Sequence, residues 1–224
     1  CQAGCVAMDR SANRGVCPQM CRLPYELVDA DGVAVAPEKH YLSLRDLNRL
    51  HSLRELIDAG ASSFKIEGRL KDARYVANVT AAYSRELDAI VAADPSLRRS
   101  SAGRSECPFT PELSRTFNRG YTDYFLHGRP SRKSRMASLD TPKWAGMPVG
   151  EVLAPYDSRR RCFRARLIEP LANGDGLGYF DRNGKFFGFR LNRSADGLLF
   201  PAAPVDGLEK GMTLYRNNDK SFFD

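Results

Sequence analysis

The sequence is short of the residues that mark several large enzyme classes. Its three histidines, His40, His51 and His127, lie far apart, and no H-E-x-x-H pair sets two imidazoles one helical turn apart for a zinc hydrolase. No G-x-S-x-G run occurs, which removes the nucleophile elbow of the α/β-hydrolases. No stretch nears the roughly 18 consecutive apolar residues that a membrane span needs. No basic segment followed by an apolar one marks a secretory leader. Internal repeats and low-complexity tracts are missing too, so solenoids and arrays are set aside. Trp144 is the single tryptophan; next to a β-rich segment it reads as a core plug or as a platform for one base.

What is present is ordinary for a globular protein, with 42% hydrophobic and 27% charged residues. A length of 224 residues allows two modest domains. The 34 Lys+Arg against 27 Asp+Glu give a net charge of +7, compatible with a polyanionic partner. The basic residues gather at Arg129, Arg132, Lys133 and Arg135, and again at Arg159, Arg160, Arg161, Arg164 and Arg166. A solvated face is the plain reading of either group by itself.

Three segments follow from the patterning. Residues 1–94 begin with a cysteine-rich stretch and then LPYELVDADGVAVA, a hairpin around Asp31-Gly32. Apolar residues at Leu44, Leu47, Leu50, Leu53, Leu56 and Ile57 predict one helix, with Ser43 and Asp46 as a capping box and Gly60 as the stop. SSFKIEG predicts a short strand with Phe64 and Ile66 on one side and Lys65 and Glu67 on the other. A second helix over 72–93 carries Val76, Val79, Tyr83, Leu87, Ile90 and Val91, and ends at Asp94-Pro95. Helix, strand and helix at these lengths are the rhythm of an α/β layer. Residues 95–146 read as a linker with a short helix near 110–117 and a basic loop. Residues 147–224 hold about six short β-prone runs separated by Asn-Gly and Asp-Gly turns, the pattern of a small β-barrel. In CFRARL the alternation of Phe163, Ala165 and Leu167 with Arg164 and Arg166 predicts a half-buried strand with a basic outer face.

Four of the six cysteines, Cys1, Cys5, Cys17 and Cys21, crowd the front as C-x3-C, eleven residues, C-x3-C. Paired thiols at short spacing let ligands converge on one ion, and the spacing suits zinc and an iron–sulfur cluster equally. A disulfide framework belongs to small secreted chains. Cys107 and Cys162 stand alone and read as small buried residues. Arg10, Arg14 and Arg22 bracket the thiols, either to offset thiolate charge or to hold an anion, or as plain loop residues.

Together RSANRGVCPQMCRLPYEL, LSLRDL, SSFKIEGRLKDARYVANVTAAY and FNRGYTDYF resemble the collagenase-like U-thirty-two peptidase family, which includes proteins of RNA pyrimidine 5-hydroxylation. The resemblance runs from Cys1 to about Arg129. It implies that the chain, which starts on a cysteine, is the C-terminal part of a longer protein. The implied fold is α/β plus β: the remnant of a (βα) TIM-type barrel followed by a small β-barrel. Cys1, Cys17 and Cys21 match the family's cysteine motif, whereas Cys5 does not. The resemblance further implies a 4Fe–4S cluster, with zinc as the alternative, and hydroxylation at C5 of a pyrimidine in tRNA or ribosomal RNA by a cytoplasmic protein.

Lys65 and Glu67 are then the expected catalytic pair, at the strand end where βα barrels carry their chemistry, or else a structural salt bridge. Arg10, Arg14, Arg22, Arg69 and Arg119 are the expected anion and substrate holders. Two rival functions stay open. One is a collagenase-like peptidase acting on a peptide, and the other is an RNA-binding module that catalyses nothing.

Overall fold

The CFRARL alternation is realised in full. In β6 (Cys162–Leu167) Phe163 and Ala165 are buried while Arg164 and Arg166 face solvent. The computed structural model describes residues 2–68, 71–103, 105–129, 136–141 and 143–222. They group into two units, each made of two separate stretches: 1–47 with 119–144, and 48–118 with 145–224.

The first unit opens with α1 (Gln2–Met8) and single 3-10 turns at Ala12–Arg14 and Met20–Arg22. The expected hairpin follows as β1 (Tyr25–Val28) and β2 (Ala34–Lys39), paired antiparallel. Asp29 makes its turn by accepting from the backbone N–H groups of Asp31 and Val33 at 3.0 and 2.9 Å. β3 (Asp46–Leu47) and β4 (Tyr121–Thr122) form a parallel pair that stitches the two stretches together. The Leu44–Ala137 bridge adds a second stitch.

The helix expected from Ser43 to Gly60 is only half formed. A 3-10 turn at Leu50–Ser52 leads into α2 (Leu53–Asp58), and residues 43–47 are extended. The reason is tertiary competition for the polar groups of the supposed capping box. Ser43 is fully buried; its hydroxyl accepts from Arg22 and its carbonyl from the N–H of Ser138 at 2.7 Å. The Asp46 carboxylate is taken by Arg119. Helix propensity is a weak prior beside such partners. The stop at Gly60 holds: its φ is +97°, and its N–H closes on Ile57 O at 2.8 Å.

In the second unit α3 (Ala73–Ala93) matches the expected helix, with Asp72 accepting from Tyr75 N–H as its N-cap and Asp94-Pro95 ending it. Val79 and Ala82 are buried on its inner face, while Val76 is exposed. Asn78, also fully buried, binds the backbone N–H and C=O of Glu112 and the hydroxyl of Thr116. The expected short helix near 110–117 is a single 3-10 turn at Leu113–Arg115. The expected strand over SSFKIEG does not form, and residues 61–68 are irregular. Alternation sets the faces of a strand, but a ladder needs a neighbouring edge, and none is paired with this segment among the described residues. Among the described residues of 48–118 the parallel sheet of a βα barrel is accordingly not seen.

The small β-barrel is closed. Its strands β5 (Met147–Asp157), β6, β7 (Gly176–Phe180), β8 (Phe186–Ala195), β9 (Leu198–Pro201) and β10 (Thr213–Asn218) run in the order β10-β5-β6-β9-β8-β7. Closure removes every free sheet edge. Val149, Val152, Leu177, Leu191, Leu199 and Leu214 are fully buried at its centre. Tyr179 fills the core and donates its hydroxyl to Asp206 O. Burial and the nearby Asp206 and Asp181 push its phenol above the usual tyrosine value.

At one end of this barrel Arg216, 4% exposed, is neutralised by Glu169 at 2.8 Å, Asp219 at 3.0 Å and Asp175 at 3.5 Å. Arg115 reaches the same Glu169 and Asp219 from the 3-10 turn. A buried charge is tolerated only when paired this fully.

Candidate functional site

The front segment is shaped around its prolines and glycines. Gly4 lets α1 lie against Pro18, where a Cβ would sit 2.9 Å from Pro18 Cδ. Cys17 and Cys21 flank that contact; both are exposed, and all five described cysteines are unpaired. Cys5 is exposed as well, while Cys162 is buried and Cys107 half-buried. Cys1 lies outside the described residues. Among the described residues no three His, Cys, Asp or Glu side chains converge to hold a metal. Of the three thiols expected as ligands, Cys17 and Cys21 are described, and the described residues do not complete an iron–sulfur site.

The expected anion holders divide into spent and unspent groups. Arg22 donates from Nη1 to Ser43 Oγ at 3.0 Å and to Leu44 O at 3.1 Å, while its own carbonyl meets His40 Nδ1 at 2.9 Å. Arg119 is engaged by Asp46, through Nη1 at 3.2 Å and its backbone N–H at 2.9 Å. Both side chains hold the first unit together. Arg10 and Arg14 are exposed and have no ion-pair partner among the described residues. Arg69 lies outside the described residues, as do Arg132, Lys133 and Arg135 of the basic loop.

One donor escaped sequence reasoning. Arg45 packs over Gly120, and its buried Nε has no hydrogen-bond partner among the described residues. The hydroxyl of Tyr124 donates to Arg45 O at 3.1 Å; burial first, then Asp46, pushes that phenol up. The signal was present in LSLRDL, but only the FNRGYTDYF turn brings out its meaning.

Lys65 and Glu67 do meet, at 3.2 Å, with side chains 85% and 75% exposed. A pair this open is solvent-screened. Phe64, between α2 and α3, turns instead into a cavity of about 490 Å³ together with Leu87, Val91, Arg98 and Arg99. Arg99 is paired there with Asp88 at 3.1 Å. Arg98 and Arg99 lie in the stretch read as a linker, so sequence reasoning missed this lining. On the barrel, Arg159, Arg160 and Arg161 sit on an exposed turn whose backbone is capped by Asp157. Arg166 is paired with Glu151, and Arg164 is exposed. Trp144 is half-buried.

Residues 1–136 match the model of peptidase family U32. The chain belongs to that family. It is 48% identical over 183 residues to the 23S rRNA 5-hydroxycytidine C2501 synthase of Escherichia coli (strain K12), covering 82% of this chain and 27% of that protein. It is 32% identical over 177 residues to the tRNA hydroxylation protein P1 of Bacillus subtilis (strain 168), covering 76% of this chain and 40% of that protein. A collagenase of Porphyromonas gingivalis is 30% identical over 175 residues, with 78% of this chain and 40% of that protein covered. The chain thus spans well under half the length of these U32 relatives. No solved structure matches it. The U32 segment contains the thiols, Arg10, Arg14, Lys65 and Glu67, and it ends before the β-barrel begins. Among the described residues no helix is long and apolar enough to cross a membrane.

Proposed function

We infer that this U32 protein acts in the 5-hydroxylation of a pyrimidine in RNA, with ribosomal RNA as the favoured substrate over tRNA. The observation that carries the reading is the 183-residue match to the E. coli rRNA synthase at 48% identity. That match is longer than the U32 segment, so it extends into the β-barrel as well.

The chemistry asks for two things from the protein. A pyrimidine inside a helix hides its C5 edge, so the base must be splayed from its stack, with cations holding the flanking phosphates. A chain of net charge +7 whose Arg10 and Arg14 are unpaired among the described residues suits that task. Arg69 belongs to the same group of anion holders, and Lys65 with Glu67 is the polar pair assigned to orient the base. The exposed, unpaired thiols of Cys17 and Cys21, with Cys1, are assigned as ligands of a 4Fe–4S cluster, and zinc is the other metal that this chemistry accepts. The cytoplasm is the compartment that goes with this proposed RNA substrate.

The test has two arms. Deleting the encoding gene removes one oxygen's mass from a single pyrimidine in ribosomal RNA digests analysed by mass spectrometry, and the wild-type gene restores it. Unchanged rRNA and tRNA digests sink the reading. Anaerobic preparation of the full protein yields iron and sulfide in equal amounts, lost in Cys17→Ser and Cys21→Ser; stoichiometric zinc transfers the thiols to the other metal.

A second reading, a peptidase, rests on the P. gingivalis collagenase. His127 Nδ1 lies 3.1 Å from Asp123 Oδ2, the kind of contact that orients a histidine base, so His127 is the candidate base of that reading. Gelatin cleavage abolished by His127→Ala supports it.

A further inference from the structure

The β-barrel carries a feature that none of the expected sites includes. Its register sets Asn218 of β10, Gly176 of β7 and Arg190 of β8 side by side across three strands. Alternation sends Leu177 and Leu191 inward, where both are fully buried, and so leaves Gly176 and Arg190 on the outer surface. The middle strand has no side chain at that rung, and Gly188 adds none beside it. A trough of about 550 Å³ results, floored by Gly176 and Gly188, with Arg190 on one wall and Asn217, Asn218 and Lys220 on the other.

The two cations converge. The point where a Cβ would stand on Gly174 lies 3.2 Å from Lys220 Cγ and 3.6 Å from Arg190 Nη2. Both side chains are exposed, and neither has an ion-pair partner among the described residues. The nearby carboxylates are already committed. Asp175 is fully buried, accepts from the N–H groups of Ala172 and Lys220, and faces Arg216. Asp219 is held by Arg115 and Arg216. Two like charges brought together without a counter-charge repel, and an anion between them relieves that repulsion. Arg supplies a planar fork and Lys a compact charge, which together match phosphodiester oxygens, while Asn217 lays its Oδ1 over Gly176.

We propose that this trough binds the phosphodiester backbone of an RNA strand, with successive phosphates at Arg190 and Lys220. The proposal rests on the RNA reading above and locates a second contact for that substrate. An acidic protein segment fits less well. The barrel is closed, so no edge is free for strand addition.

The test is fluorescence anisotropy of the 224-residue chain with a labelled oligouridylate, titrated at several salt concentrations. Arg190→Ala with Lys220→Ala weakens binding about tenfold and lowers the salt slope by about 1.4, at roughly 0.7 per phosphate contact. Lys185→Ala with Lys210→Ala removes the same charge elsewhere on the barrel and stays within about twofold of wild type. If wild type binds and the two double variants weaken equally, the trough is not the contact, although the RNA reading survives. If wild type binds no RNA, the proposal falls, and the digests described above decide the RNA reading. Displacement by polyglutamate as effective as by unlabelled RNA overturns the proposal in favour of an acidic protein partner. A measurement on wild type alone removes any dependence on variant folding: RNA shields Lys220, and not Lys210, from acetylation followed by mass spectrometry. Equal modification of Lys220 with and without RNA overturns the proposal.

Discussion

Arg115 and Arg216 share a single oxygen atom: Oδ2 of Asp219 accepts from Arg115 Nη1 at 2.5 Å and lies 3.0 Å from Arg216 Nη2. Burial works against charge on Arg115, yet Asp219 and Glu169 more than offset it, so its pKa is raised above the ordinary arginine value. Removing the shared carboxylate leaves the buried Arg216 guanidinium to Glu169 and Asp175 and takes a partner from Arg115 as well. Asp219→Ala is expected to cost about 1.5–3 kcal/mol of stability, seen as a lower urea midpoint. Arg115→Ala leaves Arg216 paired and costs distinctly less. Equal midpoints for Asp219→Ala and wild type defeat this account.

Asn78 plays the same bridging part for α3. Its amide replaces a missing strand neighbour for Glu112, giving and receiving one backbone hydrogen bond, and it also serves Thr116. Asn78→Ala leaves buried backbone groups unpaired and is expected to cost about 2–4 kcal/mol. Hydrogen exchange checks the mechanism, since the amide of Glu112 exchanges faster in the variant than in wild type.

Asp94 gives a pH prediction with a definite sign. Hydrogen bonds from the Ser96 hydroxyl and N–H, followed by one from Arg54, lower its pKa below the usual aspartate value. A carboxyl with a depressed folded-state pKa contributes stability that is present above its unfolded value and lost as pH falls through the folded one. Asp94→Asn is therefore expected to lower the melting temperature near neutrality. The gap from wild type closes below about pH 4, the ordinary aspartate range. A constant gap down to the acid limit is the contrary result.

Within the barrel, burial ranks the cost of truncation. Leu177→Ala, at a fully buried position, is expected to lose about 2–5 kcal/mol. Ile168→Ala, at a position 72% exposed, stays within about 0.5 kcal/mol of wild type. Thermal melts of the two variants separate them.

The barrel was legible because its signals are local. Alternation in CFRARL and the turns at Asn183-Gly184 and Asp196-Gly197 each lie within a few residues, and at Asp196-Gly197 both backbones adopt the positive φ such a turn demands. The helix α3 was legible for the same reason, through its apolar stripe from Val76 to Val91 and Asp94-Pro95 at its end. Ser43 and Asp46 were misread because their partners, Arg22 and Arg119, come from distant parts of the sequence. The KIEG strand failed similarly: period two is visible in a sequence, but the edge that would pair with it is not. At the candidate site, Lys65 and Glu67 were paired in the sequence by a strand that does not form, although the two side chains do meet, while the trough depends on the register that sets residues 176, 190 and 218 abreast.

The order of strands around the barrel has a consequence for biosynthesis. β10 is the seam, bonded to β5 on one side and β7 on the other, and it is the last of the six to leave the ribosome. Until Thr213–Asn218 emerge, β5 and β7 present open edges to every other nascent chain nearby. Translation that halts before this seam leaves a sticky sheet rather than a partly working barrel.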